Sequence, residues 1–358
     1  MRAIDTSRVL VLHLADDAAL RRRFLVLDEP LPGNLRFGVL LEALDQLAAD
    51  TALDYARQAS PAAQVVTAAV DEILVRHLGD ASRDLTCSGR INRVGRTSME
   101  VGLRVEASGG HGHFATCYFT MVARSGSGPD ATSLPVPALE PGDALAERRA
   151  ARALARQQGW LARRAAAGEP PSRQEFELLA ALHRAQDQDG FAGLRGGKLA
   201  VESWERTFPE QQNDTRTIFG GYIMRRAYEL ASICAERLAP GRPVLAAVNR
   251  VNFFEPVHIG DKLHFTASVV YTEGPAICVQ TAIERFARDR TARALSNSCL
   301  FTFVNVTPEM ALADVPAVHP ATYAEDARWL DARRNLHDLE ARLLEPWLGL
   351  SRTQPRGP

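Results

Sequence analysis

Asp45 is a carboxylate in an apolar setting, a combination that can do chemistry. It falls on the helical stripe Leu41, Asp45, Ala48 and Ala52, among small and apolar neighbours. Burial on such a face disfavours the charged form and raises a carboxyl pKa toward neutrality. A carboxylate tuned in this way can take a proton from water or attack an acyl carbon itself. The residues leave both roles open, beside two structural ones: capping a turn, or meeting an arginine at a domain interface. Gly38 near the start of one helical segment, and Gly220 with Gly221 at the start of another, are a second feature. The first N–H groups of a helix have no partner inside it and can point at an anion or a carbonyl oxygen. Glycine there lets a ligand approach the backbone closely, although a tight turn explains it equally well. Asn213, in Gln212-Asn-Asp-Thr, reads by itself as a turn residue. Glu42 and Glu229 sit on largely apolar helices, as partners of a site or of a nearby arginine.

Two similar halves must position these residues. One runs Arg36-Phe-Gly-Val-Leu-Leu-Glu-Ala-Leu-Asp45-Gln-Leu-Ala, the other Phe219-Gly-Gly-Tyr-Ile-Met-Arg-Arg-Ala-Tyr-Glu-Leu-Ala. Each begins with an aromatic and glycine and continues with apolar residues at helical spacing. Each helix is apolar around much of its girth, which places it inside a fold. Strand-like runs follow: 64–75, 84–92, 97–107 and 113–124 after the first helix, then 243–254, 261–272, 276–286 and 292–304 after the second. Several alternate, as in Leu263-His-Phe-Thr-Ala-Ser-Val269, the pattern of antiparallel strands with one packed face. The expected unit is one buried helix and about four antiparallel strands, twice. Between the halves, 142–167 reads as an exposed amphipathic helix ended by Pro170-Pro171. A capping box at Ser172–Glu175 then starts a second helix to about Gln186. The tail carries a helix at Tyr323–Asp331, and 352–358 reads as disordered.

The bulk numbers exclude other classes. The chain has 358 residues, 46% hydrophobic and 24% charged, with a net charge of −1, so a full core is expected and a nucleic-acid-binding basic face is not. The Arg21–Arg23 and Arg163–Arg164 clusters read as solvated helix faces. Cys87, Cys117, Cys234, Cys278 and Cys299 form no CxxC pair and lie in apolar stretches, which suits free buried thiols in a reducing compartment. No zinc spacing, P-loop or serine nucleophile elbow occurs, and neither a metal nor a cofactor is expected; His111 and His113 around a glycine are a weak metal motif. No segment is apolar for long enough to span a membrane, and Asp5, Asp16 and Asp17 argue against a signal or transit peptide. A cytoplasmic location is the resulting expectation.

The segment from Asn213 through Ile-Phe-Gly-Gly-Tyr to Ala231 resembles the central-helix motif of hotdog acyl-CoA thioesterases. It is most similar to the double-hotdog branch that includes mitochondrial enzymes and bacterial relatives. Phe253-Phe-Glu-Pro-Val-His-Ile-Gly-Asp261 resembles the strand-turn that follows the helix, and Arg36–Asp45 with Val94–Val101 carries the likeness into the first half. The resemblance implies an α+β fold of two tandem hotdog domains, each a curved antiparallel sheet wrapped around a central helix. The implied divisions are 8–135, a helical connector 136–198, 199–310 and a tail 311–358. It also implies hydrolysis of acyl-CoA to a free acid and coenzyme A. Asp45, from one helix, would be base or nucleophile, and Asn213, before the glycine turn of the other domain, would hold water or thioester. Gly220, Gly221 and Gly38 would line the substrate. The position matching Asp45 in the second half is Tyr228, and that matching Asn213 lies near Pro30, so one working site and one dead one are expected. Arg93, Arg96, Arg225 and Arg285 are candidates for the phosphates of coenzyme A. A hotdog dehydratase would need a histidine that neither glycine-helix segment has. A non-catalytic acyl-CoA-binding regulatory module is the alternative of another class. Self-association as a trimer of double hotdogs is the implied assembly, with acyl-CoA as the other partner.

Overall fold

The computed structural model describes residues 1–28, 31–109, 112–126, 131–166, 170–213, 217–341, 343 and 347–352. The first half contains β1 (Arg8–Leu12), α1 (Ala18–Arg23), α2 (Phe37–Ala56), β2 (Gln64–Val75), β3 (Leu85–Val94), β4 (Ser98–Ala107), β5 (Gly112–Ser125) and the two-residue β6 (Thr132–Ser133). The connector holds α3 (Ala144–Ala166), α4 (Arg173–Gln186) and β7 (Leu194–Arg195). The second half repeats the first with β8 (Ala200–Arg206), α5 (Gly220–Glu236), β9 (Arg242–Phe253), β10 (Lys262–Glu273), β11 (Ala276–Phe286) and β12 (Arg293–Val306). β13 (Val318–His319), which pairs with β7, and α6 (Tyr323–Glu340) complete the chain.

All the long strands join one sheet in the order β1-β3-β4-β5-β2-β9-β12-β11-β10-β8. Read from either end, the order is the same, strand for matching strand. This is the double-hotdog arrangement, with α2 packed on β2 to β5 and α5 on β8 to β12. Alternation along β4 and β10 buries every second side chain against the helix, as the sequence pattern requires. The halves meet where β2 pairs antiparallel with β9, through Ala69 with Asn252, Val70 with Val251, Ile73 with Val248 and Leu74 with Ala247. The register is symmetric about a pseudo-twofold axis through the seam, and α2 packs on α5 beneath it.

The unit has five long strands, not four, because β1 and β8 precede each helix. Both are edge strands, and β1 leaves Val9 62% and Val11 40% exposed, so its sequence lacks a clear buried face. α3 lies against the first sheet, where the Arg156 guanidinium stacks on the Tyr118 ring at 3.5 Å and its Nε donates to Glu100 at 3.1 Å. The capping box forms at Ser172 and Glu175, and Glu175 also accepts from Arg334 of α6. All five cysteines are buried and unbridged. Arg352, expected to be disordered, pairs with Leu312 in an isolated bridge; residues 353–358, like Pro30 and His111, lie outside the described residues. Among the described residues no group of acidic, histidine or cysteine side chains could hold a metal ion, and no helix is long and apolar enough to cross a membrane.

Candidate active site

The N-terminus of α5 has no side chain of its own to cap it: Phe219 occupies the N-cap. The missing acceptor comes from the other half. Asp45 Oδ2 on α2 accepts the Gly221 N–H at 2.7 Å, satisfying one of the helix's unpartnered donors. Its other oxygen, Oδ1, accepts from the Thr67 hydroxyl on β2 at 2.7 Å. Asp45 is fully buried, and burial pushes its carboxyl up to about 6; the bonds from Thr67 and Gly221 hold it down in part, while the nearby Glu42 charge raises it.

A cleft of about 1310 Å³ opens beside this carboxyl. One wall is a stripe of α2, from Val39 through Ala43 to Leu53, and Phe24 also lines the cleft. The opposite wall is built from β2 at 64–68, the turn 210–213 with 217–220, and the loop 253–258. The cleft begins where β2 and β9 diverge beyond the Ala69–Asn252 pair. Asn213, Thr67, Gly220 and Glu42 all line it. Asn213 Oδ1 accepts from the Thr217 N–H and hydroxyl, both at 3.1 Å, and Ile218 N–H ties this turn to the Val257 carbonyl at 2.8 Å. The 253–258 loop is fixed by buried Asp261, which accepts from His258 N–H at 3.0 Å and Arg285 Nε at 2.6 Å. Asp45 itself lies just behind Gly220. A methyl group on Gly220 would stand 3.3 Å from Asp45 Oδ2 and 3.2 Å from the Phe253 ring, between carboxyl and cleft. A buried carboxyl near neutrality, reached past a bare helix N-terminus, is equipped to activate water against an acyl group.

The thioesterase superfamily model matches residues 33–112 and 216–288, one stretch in each half. Acyl-coenzyme A thioesterase 4, mitochondrial, of Humulus lupulus is 30% identical over 366 residues, covering 95% of this chain and 67% of the relative. The chain belongs to the acyl-CoA thioesterase family. Acyl-coenzyme A thioesterase 9, mitochondrial, of Homo sapiens is 28% identical over 355 residues, covering 94% and 78%. A solved structure assigned as an oleoyl thioesterase from Lactobacillus plantarum superposes with a TM-score of 0.50 at 10% identity, covering 84% of this chain and 96% of that one, and supports the fold alone. Relatives are named as mitochondrial and chloroplastic, which overturns the expected cytoplasmic location. Early acidic residues were a poor guide to location.

In this thioesterase the place that mirrors Asp45 is filled by Tyr228, packed among Phe37, Phe301 and Phe303 with ring centroids 6.0 Å away in each case. The register matches Thr67 to Leu245, so the mirror position lacks the hydroxyl as well. Where the cleft would open on that side, a Cβ on Gly33 would meet Leu78 at 3.2 Å and Val244 at 3.6 Å, and Arg242 donates to the Pro32 carbonyl. Of the three glycines read as substrate contacts, Gly220 lines the cleft and Gly38 and Gly221 do not. Both lie where the helices cross: a Cβ on Gly38 would meet Arg225 and Tyr228 at 3.0 Å, and one on Gly221 would meet the Glu42 Cα at 3.0 Å. Arg93, Arg96, Arg225 and Arg285 are absent from the lining as well, and three of them have partners elsewhere, in Gln157, Glu42 and Asp261. The arginines that line the cleft are Arg23, Arg57 and Arg124. Thr67 escaped the sequence reading because a threonine in an alternating strand looks like any other β-branched residue.

Proposed function

We propose that this thioesterase hydrolyses acyl-CoA to a carboxylic acid and coenzyme A at the cleft between its halves, with Asp45 as general base. The observation that carries this is the Asp45 carboxyl, buried, held by Gly221 and Thr67, and raised to about 6 at the edge of the cleft. Its burial behind Gly220 favours action through a water over direct attack on the thioester. Asp45 takes a proton from water, and the hydroxide adds to the thioester carbonyl carbon. The developing oxyanion is met by the Gly220 N–H at the start of α5 and by the side-chain amide of Asn213, both on the cleft wall. Collapse breaks the carbon–sulfur bond, and the proton on Asp45 passes to the departing thiolate. Arg23, Arg57 and Arg124 suit the phosphates of coenzyme A, and Val39, Ala43, Ala49 and Leu53, the apolar residues of α2 that line the cleft, suit the acyl chain. Three chains are proposed to assemble as a trimer of double hotdogs.

The test is thiol release from a panel of acyl-CoA esters by the wild type and by Asp45→Asn. Loss of turnover by about 10²–10⁴-fold in the variant is expected for a removed general base. Turnover retained in Asp45→Asn would keep the reaction and move the base elsewhere.

A further inference from the structure

Glu42 and Arg225 occupy matching places, each four residues after the glycine at a helix crossing, Gly38 and Gly221. They meet across the pseudo-twofold axis: Arg225 donates to Glu42 Oε2 at 2.8 Å, with side chains 22% and 24% exposed. In a pair of identical domains this position would face its own copy, carboxylate to carboxylate or guanidinium to guanidinium. The fused chain places opposite charges there. Glu42 lies one helical turn before Asp45 and lines the same cleft, so its charge falls on the catalytic carboxyl.

We infer that Arg225 is a positioning residue for the hydrolysis: by pairing with Glu42 it neutralises a second carboxylate beside Asp45 and holds it against α5. The inference rests on Asp45 being the base. The other charged groups of this network are Arg36 from the head of α2 and Arg226 and Glu229 from α5, while Glu210, Glu255 and His258 line the same cleft as Glu42. Glu229 lies 3.6 Å from Arg225 Nε but is held more closely by Arg36 and Arg226, and Glu255 is paired with Arg285. Glu42 is thus the carboxylate whose neutralisation near Asp45 depends on Arg225.

The experiment is the pH dependence of kcat/KM with one acyl-CoA for the wild type, Arg225→Gln, Arg225→Lys, Glu42→Gln and the double variant Glu42→Gln/Arg225→Gln, with Asp45→Asn alongside. Arg225→Gln should move the acid limb to higher pH by about half a unit or more, because an uncompensated anion makes Asp45 harder to ionise. Glu42→Gln should move it to lower pH, the double variant should return it close to the wild-type position, and Arg225→Lys should do the same. A uniform loss of rate at every pH in Arg225→Gln, or an upward shift that survives in the double variant, overturns the inference. If Arg225→Gln does not fold, an unshifted limb in Glu42→Gln overturns it equally. Full turnover in Asp45→Asn would sink the base itself, whereas dead Asp45→Asn with an unshifted Arg225→Gln profile would sink the role of Arg225 alone.

Discussion

At the scale of single residues the proposed chemistry depends on how Asp45 is kept. Burial raises it to about 6, so the folded chain binds its proton more tightly than the unfolded chain does. Below the unfolded value near 4 both states are protonated and the site costs nothing. As pH rises through about 6 the folded state must ionise a carboxyl in an apolar place, and stability falls. Asp45→Asn removes that cost. Its unfolding free energy should exceed the wild type's by about 3 kcal/mol at pH 8, with the gain vanishing near pH 4, in denaturant titrations at both values. A gain of equal size at both would contradict a raised carboxyl. Gly220 presents a separate case. Alanine there gains about 1 kcal/mol of helix propensity, which offsets the tight 3.2–3.3 Å contacts its methyl makes with Phe253 and Asp45 beside the cleft. Gly220→Ala should retain its melting temperature while turnover falls about tenfold or more.

At the scale of elements, Asp45, the proposed base, also accepts from the first turn of a helix in the other domain, so packing and the proposed catalysis share one contact. Gly221 is where the two helices approach, and a Cβ there would meet the Phe219 ring at 2.7 Å and the Glu42 backbone at 3.0 Å. Gly221→Ala should therefore lower stability by about 1–3 kcal/mol, read from the same titration, in contrast to its neighbour. The elements were largely legible in the sequence. Periodicity marks α2 and α5, and β2 and β11 coincide with the strand-like runs 64–75 and 276–286. The edge strands β1 and β8 were not, since a strand with one neighbour buries too little to show its period. Asp45 stood out as an acid on an apolar stripe. Thr67 and Arg57 did not, because their meaning comes from strands and turns brought in from elsewhere in the chain. The glycines were legible as special but not as to purpose: the same absence of a side chain serves access at Gly220 and helix crossing at Gly38.

At the scale of the whole molecule the two halves share one sheet and have divided their work. One side keeps carboxyl, hydroxyl and open cleft; the other is closed by Tyr228 and by the Gly33 turn. The apolar stripes of α2 and α5 are consumed within the chain, so association must use other surfaces. Leu145, Leu154 and Leu161 of α3, with Phe176 of α4, remain exposed on the connector. Sedimentation should give the mass of three chains, and a single species of 39.1 kDa would remove the trimer. The seam between β2 and β9 also bears on how the protein is made. The first half is complete through β5 before β9 exists, and until then Val70 and Ile73 sit on a strand with one edge unmatched. Such an edge recruits whatever strand is at hand. Because the seam is nearly symmetric, the best substitute for β9 is the β2 of a second, equally unfinished chain. Crowded synthesis would thus favour a false dimer that copies the true join, and the arrival of β9 on the same polypeptide is what gives the correct pairing its advantage in local concentration.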